Sequence, residues 1–195
     1  MRKSSQTEVS YADLSAGPIK VGDMIIVSTD GSCLRNPGGA IGWAWVDHTG
    51  PHASGGAAVG TNQIAELRAV MEAIVAHPGP EPLLIESDSQ YAIKCASEWL
   101  PGWKRKNWRT SAGEEVKNLE LIQRIDRAIA ERSGPVRFRW VRGHVGNYYN
   151  ELADALAGEA AREAAASAAV LETKAPKKTT KRPAQNAERE VMTLF

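Results

Sequence analysis

Two short apolar runs, MIIVSTDG at 24–31 and PLLIESDS at 82–89, each lead into an aspartate. Runs this short, rich in Ile, Val and Leu, read as strands buried on both faces. Such strands belong to sheets covered by helices, and in open α/β sheets ligands collect at the strand ends. Asp30 and Asp88 stand at those ends.

The rest of the pattern builds around them. AIGWAWVD at 40–47 is a second strand, with Trp43 and Trp45 on one face and Ala44 and Val46 on the other. HASGGAAVG at 52–60 is a weaker third strand because of its glycines, and the short links make these three an antiparallel meander. A helix follows from about Asn62 to His77 and stops at Pro78. Ile64, Leu67, Val70, Met71, Ile74 and Val75 form its apolar stripe, and Asn62 is suited to cap it. SQYAIKCASEWL is a helix capped by Ser89, and VKNLELIQRIDRAIAER is another. VRFRWVRG is a last strand, and NELADALAGEAAREAAA a final helix of strong formers. The order βββ-α-β-α-α-β-α predicts an α/β fold, a five-stranded mixed sheet flanked by helices.

Glu66 lies in the first helix and Asp154 in the last. Any of the four acids alone is an ordinary turn or surface residue. If the fold gathers Asp30, Glu66, Asp88 and Asp154, they repel one another unless cations neutralise them. All-oxygen ligands suit Mg²⁺ or Mn²⁺, whereas Zn²⁺ favours His or Cys. Two such ions beside a phosphodiester would activate water and stabilise the leaving oxygen, which points to metal-dependent phosphodiester cleavage.

Five blocks in order, STDGSCLRNPGGAIGWAW, TNQIAELRAV, IESDSQY, WLPGWKRKNWRTSAGEEVKN and WVRGHVGNYYNELADALA, resemble type 1 ribonuclease H, the bacterial ribonuclease HI family. The resemblance runs from about Met24 to Ala165 and implies the ribonuclease H-like fold. It implies an endonuclease that cuts the RNA strand of RNA–DNA hybrids, leaving 3′-hydroxyl and 5′-phosphate ends, to remove RNA primers and R-loop RNA. By the same resemblance Asp30, Glu66, Asp88 and Asp154 hold two Mg²⁺ ions, with Mn²⁺ able to substitute. Asp30 bridges them, and Glu66 also meets the RNA 2′-hydroxyl. His144, in the Gly-flanked loop RGHVGN, matches a catalytic auxiliary that moves protons or aids product release; standing alone it would be a surface-loop histidine.

Asn36, Asn62, Gln63 and Gln90 match positions lining the hybrid's minor groove, where amides can donate to and accept from 2′-hydroxyls. Cys33 matches such a position too, and a small buried thiol is an equal reading. Tyr91 and Trp99 match the aromatic side of the DNA channel, and Thr61 and Asn118 its phosphate pocket. The family often carries a basic residue two positions before that threonine; here it is Val59. Trp99, Trp103 and Trp108 interleave with Lys104, Arg105, Lys106 and Arg109, which resembles the family's basic protrusion. Tryptophans would pack it while the cations meet phosphates, without sequence preference.

This division predicts a flexible leader at 1–22, a catalytic domain at 23–165, and a disordered basic tail at 166–195 ending in VMTLF. The tail's cations read equally as a nucleic-acid tether or a solubilising linker. VMTLF resembles the short peptides by which bacterial replication and repair proteins dock on the sliding clamp, with Met192, Leu194 and Phe195 filling an apolar pocket. Its usual leading Gln is replaced by Val191, and an apolar terminus without a partner is the alternative. A net charge of +1 averages over these basic segments and does not exclude nucleic acid. Two cysteines are too few for a disulfide framework, and no apolar run is long enough for a bilayer. A cytoplasmic monomer is expected. The rivals are a resolvase-like DNA nuclease, disfavoured by the amide set, and a noncatalytic hybrid-binding module, disfavoured by the retention of all four acids.

Overall fold

The computed structural model describes residues 8–10 and 24–174, with side chains for 24–171. In chain order the elements are β1 (Glu8–Ser10), β2 (Ile25–Cys33), β3 (Ile41–Asp47), β4 (His52–Ala57), α1 (Asn62–Ala76), β5 (Leu83–Ser87) and α2 (Gln90–Lys94). A π-helical turn (Cys95–Trp99) continues α2 into α3 (Leu100–Arg105). Then come α4 (Leu119–Glu131), β6 (Val136–Trp140) and α5 (Tyr148–Lys174). The strands form one sheet in the order β1-β6-β5-β2-β3-β4.

The expected five-stranded mixed sheet is there, with β2, β5 and β6 parallel and β2, β3 and β4 an antiparallel meander. A sixth strand departs from expectation: β1, inside the segment read as a loose leader, pairs antiparallel with β6. The tail reading also begins too early, because α5 continues through 166–174. Its Ala-rich sequence prolongs the helix beyond the last residues that pack on the sheet. The rest of the expected leader and tail, residues 1–7, 11–23 and 175–195 with the VMTLF peptide, lies outside the described residues.

Parallel pairing puts β5 in the centre, and all five of its residues are buried. One large cluster, built around Leu67, Met71, Ile74, Leu83, Ile85, Ile122, Ile125 and Phe138, fills the space between the sheet and the helices on one side. α1 supplies Leu67, Val70, Met71 and Ile74 as expected, but Val75 is exposed and Ile64 only half-buried. The helix cap also shifts by one residue. Thr61 Oγ1 accepts from the Ile64 amide at 3.3 Å, leaving Asn62 as the first helical residue with its side chain free of capping.

Two close approaches position the helices. α1 crosses β2 so tightly that a Cβ on Gly31 would lie 2.3 Å from the Glu66 nitrogen and 2.4 Å from the Ala65 carbonyl carbon. On the other face, a Cβ on Gly42 would lie 2.0 Å from the Ala157 carbonyl oxygen of α5. Ala153, Ala157 and Ala161 are buried there. Gly31→Ala has only backbone to push against, so it should cost about 3 kcal/mol or more. Urea denaturation checks this, and a loss below 1 kcal/mol, roughly the ordinary cost of a tolerated core change, would contradict the crossing.

Candidate metal centre and nucleic-acid interface

Register places the first two carboxylates. In the parallel β2–β5 ladder Thr29 pairs with Ser87, so Asp30, next on β2, falls beside Asp88, which directly follows β5. The α1 crossing at Gly31 brings Glu66 over them. One oxygen from each of Asp30, Glu66 and Asp88 lies within 4.8 Å of the others. α5 brings Asp154 near enough for its charge to add to the repulsion at Asp30. His144 Nδ1 stands 3.9 Å from Asp154 Oδ2 on the open side of the cluster.

Asp30 and Glu66 are buried, at 6% and 7% exposure. Burial, then repulsion from Asp88, pushes the Asp30 pKa up to about 8, although the Gly31 amide donates to Oδ1 at 2.7 Å. Burial followed by repulsion from Asp30 drives Glu66 well above the usual carboxylate range. Asp88 is raised as well, chiefly by burial, with His144 opposing the shift. Glu66 Oε2 is buried with no hydrogen-bond partner. A convergent all-oxygen set with an unpartnered buried acceptor fits a hard divalent cation, which would supply the missing positive charge.

The other expected positions group around this centre. Asn36 Oδ1 accepts from the Asn62 amide at 3.2 Å, and Asn62 Nδ2 donates to Glu66 Oε1 at 3.4 Å. The amides thus run continuously into the carboxylates. Gln63 Oε1 is a second buried acceptor without a partner, while Gln90 is exposed at the start of α2. Cys33 is half-buried at the end of β2, its thiol donating to the Arg35 carbonyl at 3.3 Å.

A second, aromatic group lies across α2 and α3. Trp99 lies between Tyr91, edge-on at a centroid distance of 6.3 Å, and Trp103, tilted at 5.6 Å, and remains 40% exposed. Tyr91 accepts from Asn118 Nδ2 at 3.0 Å, and burial raises its pKa to about 12. Asn118 also lines an open groove of about 730 Å³ between α1 and the start of α4, along with Ile64 and Lys117. Lys104, Arg105 and Lys106 are exposed, but not all are uncommitted: Lys104 pairs with Asp126 at 2.9 Å and Lys106 donates to Ser111 at 3.3 Å.

Sequence reasoning passed over Asn150, which is 2% exposed and whose buried Nδ2 has no hydrogen-bond partner. It also passed over the polar set Ser28, His48, Glu86 and Arg139 beneath the start of α5. A charged residue inside the buried run LLIES was the available signal, since a buried glutamate needs a partner.

A mixed sheet that carries clustered carboxylates at the ends of its central parallel strands, with amides and aromatics beside them, defines a nuclease fold with a divalent-metal centre. The sequence pattern of the RNase H family matches residues 23–162. The Ribonuclease H of Tropheryma whipplei (strain Twist) is 45% identical over 138 residues, covering 70% of this chain and 84% of that protein. That of Thiobacillus denitrificans is 43% identical over 145 residues, covering 73% and 96%. Among solved structures, LC9-RNase H1, a type 1 RNase H with the type 2 active-site motif, superposes with a TM-score of 0.60 at 28% identity, covering 75% of each chain. The chain belongs to the ribonuclease H family and is a nuclease, a phosphodiester hydrolase. No described helix is long and apolar enough to cross a membrane.

The raised carboxylates carry a pH signature. A carboxylate whose folded pKa lies above its unfolded value stabilises the fold when protonated, and that stability is lost as pH rises through the folded pKa. For Asp30 the window runs from about 4, the unfolded value, to about 8. In chelator, Asp30→Asn should therefore melt higher than the parent near pH 8, by an amount on the order of a few kcal/mol, and converge with it near pH 4. Thermal melts across that range check this; an Asn variant less stable at the alkaline end would contradict it.

Proposed function

We propose that this chain is an endoribonuclease that hydrolyses the RNA strand of RNA–DNA hybrids, giving 5′-phosphate and 3′-hydroxyl ends. The observation that carries the reading is the convergence of Glu66, buried with one oxygen unpartnered, on Asp30 and Asp88 at one end of a chain of amides. It unites a cation site with groups able to recognise a 2′-hydroxyl. Asp30, Glu66, Asp88 and Asp154 would hold two divalent ions, Mg²⁺ in the cell with Mn²⁺ as a substitute. Bound there, the ions supply an activated water and a stabilised leaving oxygen.

The protein's own groups do the rest. Asn62 keeps one Glu66 oxygen occupied and leaves the other open. Asn36, Gln63, Gln90 and Cys33 line the RNA side, where a 2′-hydroxyl is the label distinguishing RNA from DNA. Trp99 and Tyr91 offer flat apolar faces to deoxyribose. The Thr61 hydroxyl accepts from a backbone amide while its proton remains available to a phosphate, and Asn118 faces the groove beside it. His144, 77% exposed at the side chain and held in a left-handed turn, sits where it can pass protons between Asp154 and solvent. Removal of primers and R-loop RNA by a cytoplasmic monomer is the cellular role that follows from this chemistry. Docking of Met192, Leu194 and Phe195 on a sliding clamp is a separate proposal, tested by titrating the tail peptide against clamp.

The decisive experiment is strand-resolved cleavage of a labelled hybrid with Mg²⁺, beside matched duplex DNA. RNA-strand cuts with 5′-phosphate ends are expected, reduced at least about 100-fold by Asp30→Asn. Cutting of duplex DNA in place of the hybrid would overturn the reading. His144→Ala should lose less than Asp30→Asn. Neutralising Arg105 and Lys106 should raise KM much more than it lowers kcat, and more so with added salt. An unchanged KM would remove the protrusion from the interface.

A further inference from the structure

Asp154 and His144 come from the side of the site that no strand supports. The chain leaves the sheet after Val141, whose amide still bonds to the Ser87 carbonyl at 3.0 Å. His144, Val145 and Gly146 are then exposed, with His144 at φ 53° and Gly146 at φ 85°. Burial resumes with Asn150 and Ala153. Between the two lies Tyr149. Its ring stacks on His48 with centroids 3.8 Å apart and planes 12° apart, and its hydroxyl donates to the His48 carbonyl at 2.9 Å.

His48 is held in turn. Its amide donates to the Ile26 carbonyl at 3.0 Å, and its Nε2 lies 3.0 Å from Ser28 Oγ. The Ser28 hydroxyl donates to Glu86 at 3.3 Å. Glu86, 4% exposed, accepts from the Arg139 guanidinium through Nε at 2.9 Å and through a second nitrogen. Burial keeps the His48 pKa below its ordinary value despite the nearby Glu86, so the ring is neutral and Arg139 balances the glutamate. Ser28 precedes Asp30 by two residues on β2, and Glu86 pairs with Ser28 across the ladder. Residues two apart share a face, so this seat and Asp30 lie on one side of the sheet.

Farther along α5 the contacts are of another kind. Ala157 and Ala161 lie against β3 at Gly42, where backbones nearly touch. Small residues let a helix come close and set its distance from the sheet, but they lie away from its first turn and do not aim the residues there. A buried ion pair adds little net stability over apolar residues of the same volume. What Glu86 and Arg139 add is direction, a fixed platform for one imidazole ring.

We propose that the Tyr149–His48 stack, seated on Ser28, Glu86 and Arg139, is a positioning device that sets where Asp154 and the His144 loop stand relative to Asp30 and Asp88. Tyr149 precedes Asp154 by five residues, about 7.5 Å along a helix. Displacements near 1 Å at a reacting centre cost up to about 100-fold in rate. The inference rests on the reading of Asp154 as a cation ligand.

The test uses the full chain with Tyr149→Ala, Tyr149→Leu and Tyr149→Phe. Mn²⁺ affinity is measured by calorimetry without substrate, and kcat and KM on the labelled hybrid. The Ala and Leu variants should bind Mn²⁺ roughly tenfold more weakly and lose roughly tenfold in kcat, with KM within about twofold. Tyr149→Phe, which keeps the stacked ring, should recover most of both. Leu preserves apolar bulk, so it decides the matter if Ala does not fold. Wild-type Mn²⁺ affinity and kcat in Tyr149→Leu, with only a lower melting temperature, would make the stack merely structural and overturn the proposal. Failure of the parent protein to cut hybrid would count against the proposed substrate alone, because the Mn²⁺ titration still decides the positioning role.

Discussion

Three carboxylates are held within 4.8 Å of one another, two of them almost out of contact with water. Like charges this close in a low-dielectric cleft repel strongly, and their raised pKa values record burial first and that repulsion second. The surrounding architecture has to hold them there against it. Backbone placement does so from two directions: a parallel ladder fixes Asp30 beside Asp88, and a glycine crossing fixes Glu66 above them. A ladder of main-chain hydrogen bonds is stiff enough to resist a force that a flexible loop would relieve.

The two faces of the sheet are built differently, and the difference bears on the site. On one face, large side chains of α1, α4, β5 and β6 interlock in a dense core. Packing of that kind leaves a helix one position, so Glu66 is set by the core itself. On the other face α5 lies close on alanine and glycine, and the aromatic and ionic seat at its beginning aims its first turns. The amide and aromatic groups then extend the site to either side along the starts of α1, α2 and α4, where helix ends expose their first side chains.

Much of this was legible in the chain. The apolar runs before Asp30 and Asp88, the meander, the Pro78 stop and the Ser89 cap all emerge as read, because each depends on local periodicity or on one residue's stereochemistry. Expectations went astray where a tertiary contact overrode the local signal. Thr61 took the cap from Asn62, whose amide is drawn instead to Glu66. Val75 left the apolar stripe because the helix turns it away from both sheet and α4. Three residues in an apparently featureless leader became an edge strand because β6 offered an unpaired edge. Helix α5 outran the domain boundary because alanine sustains a helix without packing.

The sequence by itself determined which residues could serve: short buried strands that end in aspartate, helices carrying an acid, and blocks in the order of one family. Those features are properties of neighbouring residues, and periodicity or motif order exposes them. Only the tertiary structure decided that Glu66 would be buried with one oxygen unpartnered, that Asn36, Asn62 and Glu66 would be joined in a line, and that Tyr149 would rest on His48 from 101 residues away. Burial and partnership are set by what the rest of the chain brings into contact, and no local pattern contains that information.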